Sequence, residues 1–374
     1  VSTLVIWLPD VLYPLGDSPL TALLNAEINE FSTQTGIAVE VRRKRPDEAG
    51  GILATLRVGA VVAPGALPDV TLLRRADLLR AVDEGLIYPV EGRISSAIVA
   101  DLFPSALRLG RANDQLFGLP YLLNFYLTAY TPEEDSTIER WTFTNVLRSQ
   151  TRLTFPAASA VGLTDVVWLQ YIAAVGFAPE SGEPLELAPS AALVLLSFYE
   201  DMLQANLVAR TVLDYDHPSD YIELVANGRI PTAVITTDQL GALRSARSTL
   251  AFAPVPTSTG APLTLVDGWV WVIVTPTPEQ QVLGGRFISW MMDSTRQSTY
   301  ANQIAMPPSQ RASLRRWSYE GLSYEFLAEL LDESPPVMPE VATSSAARAL
   351  QAALLTVLSG DASAAEAAAA ALRP

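Results

Sequence analysis

"LFGLPYLLNFYLTAYTPEED", Leu116 to Asp135, decides how the chain is read. Leu122 to Tyr130 has the look of a buried strand, apolar and aromatic apart from Asn124 and Thr128. It opens on Gly118-Leu-Pro-Tyr and empties into a Pro-Glu-Glu-Asp loop. Asn124 is the anomaly: a buried amide costs on the order of a few kcal/mol unless hydrogen-bonded, so it needs a partner, from neighbouring backbone or from something bound.

Toward the N-terminus, "TLVIW" (Thr3 to Trp7) is a β-branched run that reads as a buried strand. "SPLTALLNAEINEFSTQTG" follows, with Leu20, Leu23, Leu24, Ile28 and Phe31 at helical spacing and Gly36 as its stop; "IAVEV" is the next strand. This β-α-β order favours a parallel sheet with helices on its faces. "GGILATLRVGAVVAPGALPDVTLL" repeats it with a helix, a Pro/Gly break and a short strand at Asp69 to Leu73. "ADLLRAVDEGLIYPV" adds a helix ending near Gly85.

Toward the C-terminus, "TFTNVLRSQ", "TDVVWLQYIAAVG" and "LAPSAALVLLSFYEDMLQANLV" read as helices and "RIPTAVIT" as a strand. "TLAFAPVPTSTGAPLTLVDGWVWVIV" reads as two strands in a hairpin-like return. From "PEQQVLGGRFISW" onward the pattern is helical, and the alanine-rich last helix follows a stop at Gly360.

Composition narrows the chemistry. At 374 residues and 49% hydrophobic content the chain fills two cores of ordinary size. Cysteine is absent, which removes disulfides and thiolate chemistry, and His217 is the one histidine, which removes His-rich zinc sites. His217 lies in "DYDHPSD", where alternating oxygens faintly resemble a calcium loop but the turn glycine and final glutamate are missing. Lys44, the one lysine, has no glycine-rich turn beside it, so a Walker phosphate loop is excluded. Forty acidic against 25 basic residues give a formal charge of −15, which repels phosphate backbones; nucleic acid is not an expected partner, and "RRKR" (Arg42 to Arg45) reads as a solvated strand end. No apolar run approaches the roughly 18 residues of a membrane span. The chain starts at a strand without a charged leader region, which leaves two readings: a cytosolic protein, or one given without its export signal.

The order and spacing of "LVIWLPD", "TGIAVEV", "LPDVTLL", "GLIYPV", "LFGLPYLLNFYLTAY", "NGRIPTAVIT", "FAPVPTSTG…DGWVWVI" and "FISWMMDSTRQSTYANQ" resemble family 1 of the extracellular solute-binding proteins, the maltose-binding-protein-like class that serves ABC importers. The resemblance covers nearly all of the chain. It implies an α/β, two-lobe fold of the type II periplasmic-binding-protein kind. Each lobe is then a mixed, mostly parallel sheet flanked by helices, and crossing hinge strands join the two. Residues 1–125 with 255–312 form one lobe, 126–254 with 313–374 the other, and a ligand cleft lies between them. Leu122 to Thr131 becomes the first crossing strand, delivered by a turn at Gly118 and Pro120, with "LAFAPVP" the second crossing and the third near "MPPSQRASLRRW". The resemblance further implies a small sugar-like solute, a membrane permease as partner, a monomer, no cofactor, no resident metal, and an extracytoplasmic place held by a lipid anchor outside this chain.

A sugar pocket combines aromatic planes with polar side chains at strand ends. After the first strand these are Asp10 and Tyr13, and after "PDVTLL" they are Arg74 and Asp77, with an Arg74–Asp77 surface ion pair as the plainer reading. Tyr121 and Asn124 stand at the first crossing. From the second lobe come Asp165 and Trp168 at a helix start, and Thr237, Asp238 and Gln239 after "TAVIT". In "VDGWVWV", Asp267 lies at the mouth and Trp269 is the leading stacking residue. Asp165 equally suits a helix start, and both Trp168 and Trp269 equally suit a core. Maltose binders of the class carry an aromatic-rich wall where this chain has "PPVMPEVATSSAARAL", with Met338 and no tryptophan or tyrosine, which speaks against a maltodextrin. The arginines Arg74 and Arg75 keep an anionic solute such as a sugar phosphate in view. The competing class is a glycoside-processing enzyme using paired carboxylates such as Asp10 and Asp267, but no nucleophile motif or metal cluster supports it, and a non-enzyme is expected.

Overall fold

The computed structural model describes residues 3–46, 50–132, 140–176, 185–244, 246 and 249–373. The acidic part of the loop after Tyr130, Glu133 to Asp135, lies outside the described residues. The longer strands, in chain order, are β1 (Thr3–Pro9), β2 (Ala38–Lys44), β3 (Val70–Leu73), β4 (Gly118–Tyr130), β5 (Thr232–Thr236), β6 (Ala251–Ala253) and β7 (Val266–Ile273). They belong to two compact units, Val1–Asn124 with Val266–Tyr319, and Phe125–Leu265 with Glu320–Pro374.

In the first unit β1 pairs in parallel with β2 and with β3, as the β-α-β pattern requires. Helix Pro19–Thr35 carries the chain from β1 to β2; proline opens it, Gly36 closes it at φ 71°, and Leu24, Ile28 and Phe31 are its buried stripe. Phe31 meets Phe287 edge to face at 5.3 Å, and Trp271 does the same at 5.6 Å. Burying each such side chain contributes about 1.5–3 kcal/mol. β7 returns antiparallel to β3, and the start of β4 runs beside β7. A side chain at Gly118 would meet the Trp271 carbonyl at 2.8 Å. Gly118 is therefore a strand residue chosen for close approach rather than the expected turn, and Pro120 too lies inside β4.

The second unit departs from the expectation of a mostly parallel sheet. β5 and β6 both pair antiparallel with the second half of β4, from Tyr126↔Thr236 to Tyr130↔Thr232 and at Thr128↔Ala253. Among the described residues parallel pairing in this unit is limited to two isolated bridges, Thr142↔Thr257 and Thr154↔Ala233, the second close before Pro156, which has no N–H to extend it. Nor do β6 and β7 form a hairpin: β6 pairs with β4, and β7 with β3. The expected boundaries shift accordingly. Val255 and Leu265 join the second unit's core, and the Thr264 hydroxyl donates to the Tyr126 carbonyl at 2.9 Å. Trp317 stays with the first unit, its indole N–H on the Ala301 carbonyl at 3.2 Å.

Helices dominate the second core. Asp165–Val175, Ser345–Ser359 and Ala364–Ala371 all pack against Pro189–Gln204, and Phe198 of that helix stacks on Phe143 at 4.0 Å. The alanine-rich last helix starts with a capping box between Ser363 and Glu366.

Candidate functional site

Each unit assembles its own group of polar side chains. In the first, β3 ends at Leu73 and Arg74 is the N-cap of helix Arg75–Asp83. The Arg75 backbone N–H donates to Asp267 Oδ1 at 3.3 Å, joining that helix start to the mouth of β7 across 192 positions of sequence. A carboxylate belongs at a helix start, where unpaired N–H groups concentrate positive potential. The two arginines then separate. Arg75 is buried and donates to the carbonyls of Leu109 (3.0 Å) and Arg111, tying down a turn. Arg74 is partly exposed and lies over the Trp269 ring, 4.9 Å from its centre. Asp77 has Arg80 as its ion partner at 3.9 Å.

Asp10 and Tyr13 follow β1. The Asp10 N–H bonds the Lys44 carbonyl at 2.8 Å, and the Tyr13 hydroxyl donates to Asn25 Oδ1 at 2.6 Å. The basic run is a strand end, as expected: Arg42 pairs with Glu40 at 2.7 Å, and Lys44 sits 4.3 Å over the Trp7 ring. Tyr121 is a correction. It is 1% exposed, stacked on Tyr300 at 5.8 Å and tilted against Trp271 at 5.5 Å, so it is core packing, and burial pushes its hydroxyl far above the usual tyrosine range. Asn124 is partly exposed and is the last β4 residue of its unit. On one side the Leu123 N–H is held by the Pro307 carbonyl at 2.8 Å, and on the other the Phe125 N–H by Thr237 Oγ1 at 3.2 Å.

In the second unit the Tyr126 hydroxyl donates to Asp165 Oδ2 at 3.2 Å. Asp238 accepts from Thr236 Oγ1 at 2.6 Å and Gln239 Nε2 at 3.3 Å, at the end of β5. Burial, then the charge and hydrogen bond of Asp165, then Tyr221 and Asp238, drive the Tyr126 hydroxyl well above its ordinary value, so it stays a neutral donor. Thr237 is buried and serves β4 through the bond to Phe125. Trp168 is the second correction: 1% exposed and stacked on Tyr171 at 5.7 Å, it belongs to the helical core.

The described geometry thus brings Arg74, Asp267 and Trp269 together in one unit, and Asp165, Asp238 and Gln239 together in the other around Tyr126 and Thr236. Sequence reasoning missed Tyr126. The signal was present: Asn124, Tyr126 and Thr128 alternate onto one face of β4. His217 is turn architecture. Its Nδ1 lies 2.9 Å from Ser219 Oγ, and Asp220 accepts the N–H groups of Asp216 (3.0 Å) and His217 (3.1 Å). Among the described residues no three His, Cys, Asp or Glu side chains are grouped to hold a metal, and no helix is long and apolar enough to cross a membrane.

The profile of the bacterial extracellular solute-binding proteins matches residues 26–316. The chain belongs to that family. No curated protein matches this solute-binding protein at the sequence level. Its fold is shared with a cyclic alpha-maltosyl-1,6-maltose binding protein from Arthrobacter globiformis (TM-score 0.77, 15% identity, 99% of this chain and 96% of that one). It is shared too with the maltose-binding periplasmic protein MalE from Listeria monocytogenes in complex with maltose (0.75, 14%, 99% and 96%). An extracellular solute-binding protein family 1 member from Alicyclobacillus acidocaldarius is similar over the same span (0.72, 16%, 100% and 97%). At these identities the likeness establishes the fold, the α/β type II periplasmic-binding-protein architecture.

Proposed function

We propose that the protein is the solute-capturing component of an ABC importer and takes up a small polar solute, a carbohydrate or sugar derivative. The observation that carries this is the pairing of family membership with one polar group in each unit, Arg74 with Asp267, and Asp165 with Asp238. Carboxylates accept from sugar hydroxyls and a guanidinium donates to them, so together they satisfy a ring of hydroxyls. Capture needs only that the solute favour a state in which both groups hold it; a closed state bound more tightly is then populated at the expense of the open one. The reading includes two lobes that close on crossing strands, with Asn124 at the first crossing.

Binding without turnover is the proposed activity, at an extracytoplasmic site, by a monomer held by a lipid anchor. The maltose and maltosyl ligands named for its structural neighbours support the sugar class. A thermal-shift screen of sugars, polyols and sugar phosphates tests it. At least one sugar or polyol is expected to raise the melting temperature, because a ligand that binds only the native state stabilises it by mass action. Turnover of a chromogenic glycoside without such stabilisation would overturn the reading in favour of an enzyme.

A further inference from the structure

Within the second unit, β6 covers β4 only from Thr128 to Tyr130 and ends at Ala253. Pro254 and Pro256 follow, and neither has an N–H to carry the pairing on toward Tyr126. At Tyr126 one side chain takes the place of a strand. The Tyr126 N–H donates to Thr264 Oγ1 at 2.9 Å, and the same hydroxyl donates to the Tyr126 carbonyl at 2.9 Å. Thr264 is buried, and its own N–H donates to Ser334 Oγ at 3.0 Å. That serine hydroxyl donates in turn to the Leu330 carbonyl, so Thr264 is fastened to the end of helix Tyr324–Glu333. On its other side Tyr126 is in register with Thr236 of β5, whose hydroxyl donates to Asp238. The Tyr126 hydroxyl itself donates to Asp165 Oδ2 at 3.2 Å.

We infer that Thr264 is a positioning residue for solute binding: it fixes the place of Tyr126 on β4 and, through the Tyr126 hydroxyl, the aim of the Asp165 carboxylate. This rests on the reading of Asp165 as an acceptor for a sugar hydroxyl. Backbone groups inside a sheet need partners, and leaving them unpaired costs free energy. One hydroxyl serves both, accepting one proton and donating its own. Threonine suits the task because its branched Cβ leaves few χ1 states, so the hydroxyl is held rather than searching. Valine has nearly the same shape without the hydroxyl, and serine keeps the hydroxyl without the branch. Once Tyr126 moves, its bond to Asp165 lengthens or tilts, and hydrogen bonds weaken steeply with both.

Titration calorimetry of the full chain tests the inference, using the tightest binder among glucose, mannose, maltose, maltotriose and inositol. Thr264→Val is expected to weaken binding by about tenfold and Thr264→Ser by no more than about threefold. In a Tyr126→Phe background the valine change is expected to add no further loss, because residues that act through one contact are not additive. A role confined to stability would lower the unfolding midpoint of Thr264→Val and leave the affinity of the folded protein unchanged. That result, or an equal loss in both backgrounds, overturns the positioning role while leaving sugar binding standing. If valine prevents folding, Ser334→Ala takes its place one bond further out. It is expected to weaken binding by about threefold in the parent and not at all in Tyr126→Phe, and any other pattern overturns the inference. Silence of the parent chain toward all five sugars and polyols overturns the reading of Asp165 as a sugar acceptor as well.

Discussion

The two units build their polar groups with different chemistry. In the first, a parallel β1–β2–β3 sheet delivers its polar residues from strand and helix ends, and charge is balanced by an arginine over an indole and a carboxylate at a helix start. In the second, antiparallel strands and a large helical core deliver two carboxylates whose neighbours are hydroxyls and an amide. The difference teaches that the polar group follows local topology. A parallel strand ends where a helix begins and so offers backbone N–H groups, whereas β4 and β5 offer side chains that alternate along a shared face.

The largest expected effect compares two glycines. A side chain at Gly268 in β7 would lie 2.2 Å from the Leu122 carbonyl, and one at Gly162 in the second unit 2.0 Å from the Ala342 carbonyl. Gly268→Ala is expected to cost about 3 kcal/mol and Gly162→Ala about 1–2, because a loop relaxes where a paired strand does not. Denaturant unfolding followed by tryptophan emission measures both. An equal or larger cost at Gly162 would mean the second unit's loop is as stiff as the first unit's sheet.

Next come the carboxylates. Asp267→Ala in one unit and Asp165→Ala in the other are each expected to weaken binding of the tightest sugar by roughly tenfold to a hundredfold, the loss of one charged hydrogen-bond acceptor. Titration calorimetry on both variants sharpens the comparison. Loss confined to one of them would place the solute on a single unit and break the shared-capture reading.

Tyrosine ionisation separates the cores with a smaller effect. Burial is the main cause that raises Tyr121 and Tyr300 in the first unit and Tyr126, Tyr171, Tyr199 and Tyr221 in the second. The fold favours the neutral phenol, so this stabilisation is complete below the ordinary value of 10.0 and is lost as pH rises through the folded values. Phenolate absorbance should therefore show these six of the 12 tyrosines ionising late, together with alkaline unfolding. Early, independent ionisation of the second unit's four would mean its core is wetter than its packing implies.

The smallest effect concerns Asp69, which is 8% exposed and accepts the Val5 N–H at 2.8 Å. Burial raises it, so its stabilisation is present below the ordinary 3.8 and is lost as pH rises through the higher folded value. Asp69→Asn is expected to change stability by about 1 kcal/mol or less at neutral pH and to flatten that slope. Stability measured against pH for both proteins checks it, and an unchanged slope would remove Asp69 as its source.

The sequence by itself determined the α/β elements, the strand-and-helix rhythm of the first unit and the long helices of the second. The reason is that period and breakers such as Gly36 and Gly360 are local properties of the chain. It also marked the polar residues at strand ends. Only the tertiary structure decided which of them meet. Arg75 finds Asp267 across 192 positions, Tyr126 finds Asp165 across 39, and Trp168 and Tyr121 turn inward onto other rings. An aromatic at helical or strand spacing has the same signature whether it faces a core or a solute, and what covers its face comes from residues remote in the chain.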